Sequence, residues 1–242
     1  MEEQAQDEDL TLADAWSVLA QSGWLASCDP DTREALRGIA RFRAFHAGEY
    51  LYHAGDEANG VFGIVSGSVD SLIPLQDGEE FVANRAGGGF WIGDLAVFAD
   101  QPRLVSLRAA TALRVVYLPG AQLLALSRQQ PTILADFFRL TGENFTTTFA
   151  VLSNLAVPGA TNRVALRLLM QGRALPRDDG WIHIDQESLA EMVALSQQSV
   201  RRSIRELQSR GLIESGYGRI RILDHAGLAG LCGYDVPRKR AG

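Results

Sequence analysis

Residues 185–213 read DQESLAEMVALSQQSVRRSIRELQSRGLI, and this stretch predicts two short helices joined by a tight turn. The apolar residues repeat at helical spacing, as Leu189, Ala190 and Val193 in the first helix and as Val200, Ile204 and Leu207 in the second. Asp185 and Ser196 precede the helices, where a side-chain oxygen can accept a hydrogen bond from an unpaired backbone N–H. Because only Ala194, Leu195 and Ser196 separate them, the two helices predict a helix-turn-helix.

The second helix presents a polar face opposite its apolar residues, since successive residues turn by about 100°. That face and its flank carry Gln197, Gln198, Arg201, Arg202 and Arg205. Arginine can donate two hydrogen bonds to guanine and glutamine can pair with adenine, so these side chains suit the major groove of DNA. We expect this helix to read bases. The alternative is an ordinary amphipathic helix whose polar side faces water.

A short hairpin follows and favours the first interpretation. Leu212-Ile213-Glu214 predicts one strand, Gly216-Tyr217-Gly218 the turn, and Arg219–Leu223 the returning strand. Arg219 and Arg221 alternate along that strand and share one face, where we expect them to contact DNA phosphates. The segment therefore predicts a winged helix-turn-helix.

Charge is divided unevenly along the chain. Residues 1–159 hold 10 basic and 20 acidic residues, a balance of −10, whereas residues 160–242 hold 13 basic and 9 acidic residues, a balance of +4. A basic C-terminal part fits a protein that binds DNA at one end, because cationic side chains release counterions from the phosphates. We therefore expect residues 159–242 to form the DNA-binding domain.

Composition argues against several other classes of protein. No run of 18 apolar residues occurs and residues 1–9 are too acidic for a signal peptide, so we expect a cytoplasmic protein with a disordered tail and no membrane partner. Cys28 and Cys232 are far apart and lack a CxxC motif, so we expect no bound metal; His46 and His53 leave haem ligation as a minor alternative. The sequence shows no catalytic constellation, so we expect that the chain is not an enzyme.

The N-terminal part predicts helices followed by a β-rich domain. Leu10–Ser27 and Thr32–Ala40 show helical patterns. Residues 42–118 show short apolar runs interrupted by glycines, which predicts an antiparallel roll.

One segment of the roll departs from the strand pattern. Gly93–Val97 is compatible with a single helical turn whose free N–H groups could bind an anion. Arg103 could supply a positive charge beside it, and Asp94 could accept a hydrogen bond from a sugar hydroxyl.

A long helix follows Pro131. A mostly apolar row steps by 4 and 3 residues in alternation and comprises Leu134, Phe138, Thr141, Phe145, Thr148, Leu152 and Leu155. This spacing is typical of a coiled-coil seam and predicts that two copies of the chain pair here, although a core helix in a monomer is the alternative. A second row can cover the roll and comprises Ile133, Phe137, Leu140 and Val151. We expect residues 121–158 to form a dimerisation helix that ends in a hinge at residues 157–160.

The motifs GEYLYHAGD (48–56), VFGIVSGSV (61–69) and IGDLAVFADQPR (92–103), followed by the long helix and the 189–223 unit, resemble the CRP/FNR family of bacterial transcription regulators over about residues 35–232. The resemblance implies an α+β fold, with an antiparallel β-roll of the cyclic-nucleotide-binding type within residues 1–120, a long dimerisation helix and a C-terminal winged helix-turn-helix. It also implies that residues 92–103 are a phosphate-binding cassette. The effector-binding residues that it implies are Gly93, Asp94, Leu95, Arg103, Leu104 and Thr148.

The cassette differs from the form that binds cyclic AMP in this family. Asp94 stands where the family has a ribose-binding Glu, and the bulky Leu104 stands where the family has Ser or Ala beside the phosphate. Thr148 matches one half of an adenine-binding Thr-Ser pair, and Phe149 replaces the other half. A pocket for cyclic AMP and a pocket that takes another ligand, or none, therefore both remain open.

The whole sequence predicts a homodimeric transcription regulator that reads a palindromic operator, with its DNA affinity set by an effector in the roll. Double-stranded DNA is the expected partner, RNA polymerase a further candidate partner, and cyclic AMP the candidate effector. The alternatives are a regulatory protein that binds cyclic nucleotides but not DNA, and a family member whose altered pocket responds to another ligand or to none. Arg202, Arg205 and the basic hairpin favour the regulator, because a protein that does not bind DNA has no use for them.

Overall fold

The computed structural model describes residues 10–174 and 179–232. The chain divides into two compact units, Met1–Thr147 and Thr148–Gly242. The expected disordered tail, residues 1–9, lies outside the described residues. No helix in the two described stretches has the length and apolar character needed to cross a membrane.

The first unit is a β-roll with helices before and after it. Its strands are β1 (Arg41–Phe45), β2 (Tyr50–Tyr52), β3 (Gly60–Ser66), β4 (Val69–Pro74), β5 (Glu80–Ala86), β6 (Trp91–Ile92), β7 (Ser106–Ala109) and β8 (Leu113–Pro119). Its helices are α1 (Leu12–Leu19), α2 (Gly23–Ser27), α3 (Pro30–Ile39), α4 (Asp94–Phe98) and α5 (Gly120–Gln129), and α6 (Ile133–Ala156) runs on into the second unit. The strands form two antiparallel sheets, ordered β1-β8-β3-β6 and β2-β7-β4-β5, which confirms the predicted roll.

An apolar core holds the roll together. Its buried residues include Phe62, Ile64, Leu107, Leu113 and Val115. Full burial of one such side chain contributes about 1.5–3 kcal/mol. This core fixes the strands from which the cassette, residues 92–103, extends.

The first predicted helix, Leu10–Ser27, is in fact two helices, α1 and α2. The chain turns at Gly23, whose φ of +67° is a conformation that side-chain-bearing residues rarely adopt. A Cβ at this position would lie 2.3 Å from the carbonyl oxygen of Gly89. The break is therefore required by the close approach of two backbones, which a helical pattern does not reveal.

Helix α6 has a buried side and an exposed side. On the buried side Phe137 lies against Trp24, with 4.8 Å between ring centroids, and the indole Nε1 of Trp24 donates a 2.7 Å hydrogen bond to the Asp136 carbonyl. Ile133 and Leu140 are buried in the same core, so the predicted second row does cover the roll in this unit. The exposed face of α6 comprises Leu134, Phe138, Phe145, Phe149 and Leu152.

The second unit contains the predicted winged helix-turn-helix. Its elements after α6 are α7 (Ala160–Ala174), β9 (Trp181–His183), α8 (Gln186–Val193), α9 (Gln197–Ser209), β10 (Ile213–Gly216), β11 (Arg219–Ile222) and α10 (His225–Cys232). The three strands form an antiparallel sheet in the order β10-β11-β9. The apolar residues predicted for α8 and α9 are buried, which confirms the helical spacing.

Candidate functional site

A left-handed residue and one cap define the turn between α8 and α9, and a second cap begins α8. The Asp185 carboxylate accepts a 2.7 Å hydrogen bond from the Ser188 N–H, and the Ser196 hydroxyl accepts one of 3.2 Å from the Ser199 N–H. Between them Ala194 has a φ of +51°, a strained conformation for a residue with a Cβ. Both predicted N-caps are therefore present, and the turn is short because α8 ends abruptly.

Helix α9 buries one side and exposes the other. Val200, Ile204 and Leu207 are buried, while the five predicted reading residues are all exposed; they are Gln197, Gln198, Arg201, Arg202 and Arg205. Arg201 donates a 3.0 Å hydrogen bond to the side chain of Gln186 on α8. Gln197, Gln198, Arg202 and Arg205 are exposed polar side chains of the kind that base recognition requires.

The hairpin of β10 and β11 places its two arginines over one aromatic ring. The guanidinium carbons of Arg219 and Arg221 lie 4.4 and 4.8 Å from the centroid of Trp181 on β9. Arg221 also forms an ion pair with Glu214 across the hairpin, whereas Arg219 has no carboxylate within 4 Å among the residues that the structure describes. Arg219 is therefore the more available cation, and Trp181 is a supporting residue that the sequence analysis did not identify.

The tip of the same hairpin carries an aromatic side chain with no packing of its own. Tyr217 is 104% exposed and precedes Gly218, which turns the chain with a φ of +64°. The sequence analysis treated Tyr217 only as part of a turn. An aromatic residue between two glycines at a hairpin tip is the signal that could have identified it as a candidate contact.

In the roll, the cassette contains the predicted helical turn. Helix α4 begins after Gly93, whose φ of +108° is accessible to glycine. A Cβ at Gly93 would lie 2.6 Å from Nη1 of Arg103 and 2.8 Å from the Gly60 carbonyl oxygen. Glycine is therefore required both for the backbone conformation and for the close approach of Arg103.

Arg103 is buried, with 3% of its surface exposed, and donates to the protein itself. Its Nη1 donates to the Gly93 carbonyl at 3.2 Å, and its Nη2 donates to the Gly60 carbonyl at 2.6 Å and to the Asn59 side chain at 2.9 Å. The guanidinium also stacks on Tyr52, 4.2 Å from the ring centroid. Burial lowers the pKa of Arg103, and these contacts partly replace its hydration.

Asp94 is buried, with 2% of its surface exposed, and bonds to α6. Its Oδ2 accepts a 2.5 Å hydrogen bond from the Thr141 hydroxyl, and its Oδ1 accepts one of 3.1 Å from the Asn144 amide. Burial raises the pKa of the Asp94 carboxyl, and the hydrogen bonds from Thr141 and Asn144 oppose that rise. The structure thus links the cassette to α6 through Asn144, a residue that the sequence analysis did not identify.

The other predicted effector residues have different positions. Leu95 and Leu104 are exposed apolar side chains, Leu104 to 64%. Thr148 is exposed on α6 and belongs to the second compact unit. The structure therefore brings together Gly93, Asp94 and Arg103 and leaves Leu104 at the surface of the cassette.

Family models match both units of the chain. A cyclic nucleotide-binding domain matches residues 42–130, and a Crp-like helix-turn-helix domain matches residues 162–231. These ranges contain the cassette and the turn with its hairpin. The roll and the winged helix-turn-helix thus match two known domain families.

Individual proteins agree with the family models. The cAMP-activated global transcriptional regulator CRP of Salmonella typhimurium is 30% identical over 174 residues, which cover 70% of this chain and 82% of that protein. Among solved structures, FixK2 from Bradyrhizobium japonicum matches with a TM-score of 0.71 at 20% identity, covering 80% of this chain and 97% of that chain. The c-di-GMP responsive global regulator CLP of Xanthomonas campestris matches with a TM-score of 0.66 at 23% identity, covering 81% of this chain and 100% of that chain. The chain therefore belongs to the CRP/FNR family of DNA-binding transcription regulators, with a cyclic nucleotide-binding domain in its first unit and a helix-turn-helix in its second.

Proposed function

We propose that the chain acts as a homodimer that reads a palindromic DNA operator with helix α9. The observation that carries this proposal is the exposed row of two glutamines and three arginines on α9, opposite a fully buried apolar side. In this proposal the chain has three functional parts, which are the roll within residues 1–120, the dimerisation helix and hinge at 121–158, and the DNA-binding domain at 159–242. The proposed place of action is the cytoplasm, with RNA polymerase as a candidate partner.

Base reading and phosphate binding fall to different residues. Arg202 and Arg205 are suited to guanine and Gln198 to adenine, because each can form two hydrogen bonds to one base edge. Arg219 supplies a phosphate contact and Arg221 a weaker one, because Glu214 offsets its charge. Tyr217 adds a contact at the hairpin tip.

The exposed face of α6 supports the dimer. Five large apolar side chains lie along one side of a 24-residue helix, and Phe138 is 80% exposed. Water-exposed apolar area of this kind marks an interaction surface, and a second copy covers it through the same residues when the two are related by a two-fold axis. Two α9 helices about 34 Å apart then meet successive major grooves.

For the effector we propose that the cassette regulates DNA affinity, with two candidate ligand classes. The two classes come from the names of relatives, since CRP is described as cAMP-activated and CLP as c-di-GMP responsive. Both Nη atoms of Arg103 and both oxygens of Asp94 are already bonded within the protein. The Nε of Arg103, however, has no hydrogen-bond partner among the described residues, and each carboxylate oxygen of Asp94 can accept a second hydrogen bond, so these bonds do not exclude a cyclic nucleotide. The preference for the altered pocket, which takes another ligand or none, rests on Leu104, a bulky side chain that cannot donate a hydrogen bond to a phosphate.

One selection experiment tests the DNA proposal. The full-length protein is incubated with a random DNA library at stated salt, and the bound sequences are determined. We expect an inverted repeat whose half-sites lie about one helical turn apart; no enriched sequence, or a single unrepeated half-site, would contradict the proposal.

A thermal-shift screen with cyclic AMP, cyclic GMP and cyclic di-GMP tests the cassette, and a clear shift with cyclic AMP would overturn the preference for an altered pocket.

A further inference from the structure

The carbonyl groups at the C-terminal end of helix α8 need hydrogen-bond donors from outside the helix. The last four carbonyl groups of an α-helix have no partner within the helix. In α8 the Ala190 carbonyl accepts from the Leu195 N–H at 3.1 Å, and the Glu191 carbonyl accepts from the Ala194 N–H at 3.2 Å. The remaining carbonyls, those of Met192 and Val193, are not satisfied by the backbone of the turn, because the chain leaves the helix at Ala194.

Two arginines from helix α7 satisfy these carbonyls. Nη2 of Arg167 donates a 2.6 Å hydrogen bond to the Met192 carbonyl, and Nη1 of Arg163 donates one of 3.2 Å to the Val193 carbonyl. Arg167 is completely buried, and burial lowers its pKa to about 10, so it remains charged at neutral pH. A cation at this position also interacts favourably with the negative end of the α8 dipole.

The first turn of α7 is bonded to the reading helix as well. The Thr161 hydroxyl donates a 2.7 Å hydrogen bond to Glu206 of α9 and lies 3.4 Å from the Ser203 hydroxyl. Helix α7 therefore contacts the end of α8 through its arginines and the middle of α9 through Thr161. These bonds constrain the turn on both sides.

We propose that Arg163 and Arg167 are positioning residues for DNA reading, because by capping α8 from α7 they fix the angle at which the turn presents α9. The inference rests on the proposed DNA-reading function. Arg167 has no exposed surface with which to contact DNA, so any effect that it has on DNA binding is indirect.

This role predicts an effect that differs from that of a phosphate contact. Loss of a phosphate contact reduces the slope of log K against log salt by about 0.9 and weakens binding to all sequences alike. Loss of the cap misplaces the base-reading side chains, so the ratio of specific to non-specific affinity falls while the slope stays the same. The two effects can be measured on the same variant.

The test compares Arg167→Met, Arg167→Lys and Arg163→Met in the full-length protein. Leu168→Ala, a buried apolar change on the same helix, controls for lost stability, and Arg128→Met in α5 controls for lost charge. We expect Arg167→Met to lower the specificity ratio by about tenfold, the size of one good base contact, and Arg167→Lys to restore part of it because lysine keeps a donor. A ratio within about twofold of the Leu168→Ala value would overturn the proposal.

A second readout needs no DNA. Hydrogen exchange of the amides in residues 190–199 is measured by mass spectrometry, and we expect faster exchange in Arg167→Met and Arg163→Met than in Leu168→Ala. Exchange as slow as in Leu168→Ala would overturn the proposal that the arginines cap α8. If Arg167→Met does not fold, the test rests on Arg163→Met, because Arg163 is only partly buried and its replacement should be better tolerated. Wild-type protein that binds no DNA would refute the proposed function, while the exchange rates would still support or overturn the cap.

Discussion

Replacing Phe138 by alanine tests the dimer at its most exposed apolar residue. Full burial of a phenylalanine contributes about 1.5–3 kcal/mol. Phe138 is 80% exposed, and a two-fold interface buries it twice, so the variant should lose about 2–5 kcal/mol of association free energy. The dissociation constant of the dimer should then rise roughly 30- to 4,000-fold.

Sedimentation velocity over a series of protein concentrations measures this constant. The fold of the single subunit should be unaffected, because Phe138 makes little contact with its own chain. Val18→Ala is the matched control, since Val18 is a 45% exposed apolar residue on a different helix, α1, and it should leave the dimer intact. A wild-type protein that stays monomeric, or a Phe138→Ala variant that dimerises as well as wild type, would refute the reasoning.

Three further predictions concern DNA reading and the cassette. Arg202→Ala should cost about 1–3 kcal/mol and relax specificity at one base pair, which selection from a random library would detect. Arg219→Ala should reduce the salt slope of DNA binding by about 0.9, and Arg221→Ala by less, because Glu214 already pairs with that arginine; equal slopes in a salt titration would contradict this ranking. Burial raises the pKa of Asp94 from 3.8, so its contribution to stability is present below about pH 4 and is lost as pH rises through the raised value. Urea unfolding should therefore show Asp94→Asn gaining stability relative to wild type as pH increases, and a constant difference would argue against it.

The helix-turn-helix could be predicted from sequence because its signals are local. Asp185 and Ser196 cap helices that begin within one residue of them, and the buried positions follow from spacing alone. The buried residues Ile133, Phe137 and Leu140 of α6 follow from the same kind of pattern. The exposed row was predicted in part, because Thr141 instead bonds to Asp94 and Phe149 joins the exposed face. Helices α5 and α10 were not predicted, and the single helix expected over Leu10–Ser27 was wrong because the break depends on Gly89, which is distant in sequence.

The contacts within the candidate sites were harder to predict because they join distant residues. Asn144 lies 50 residues from Asp94, and Arg167 lies 25 residues from Met192. Along α7, Arg167 interrupts an apolar pattern, and that interruption is a signal of a buried charge with a specific partner. An anion beside Arg103 stays a prediction. The sequence could not show that the same guanidinium bonds to the carbonyl oxygens of Gly93 and Gly60, because only the folded backbone brings them to it.

The hydrogen bonds from Thr141 and Asn144 to Asp94 have a thermodynamic consequence. They attach the cassette to the helix whose other side carries Phe138 and Phe145. If two copies pair through that side, as we propose, a molecule that replaces those donors at Asp94 and shifts α6 would also change the free energy of self-association. Linkage is reciprocal. If such a molecule raises the association constant of the dimer by some factor, dimer formation must raise the binding constant of that molecule by the same factor. A mixture of monomer and dimer would therefore bind it in two phases.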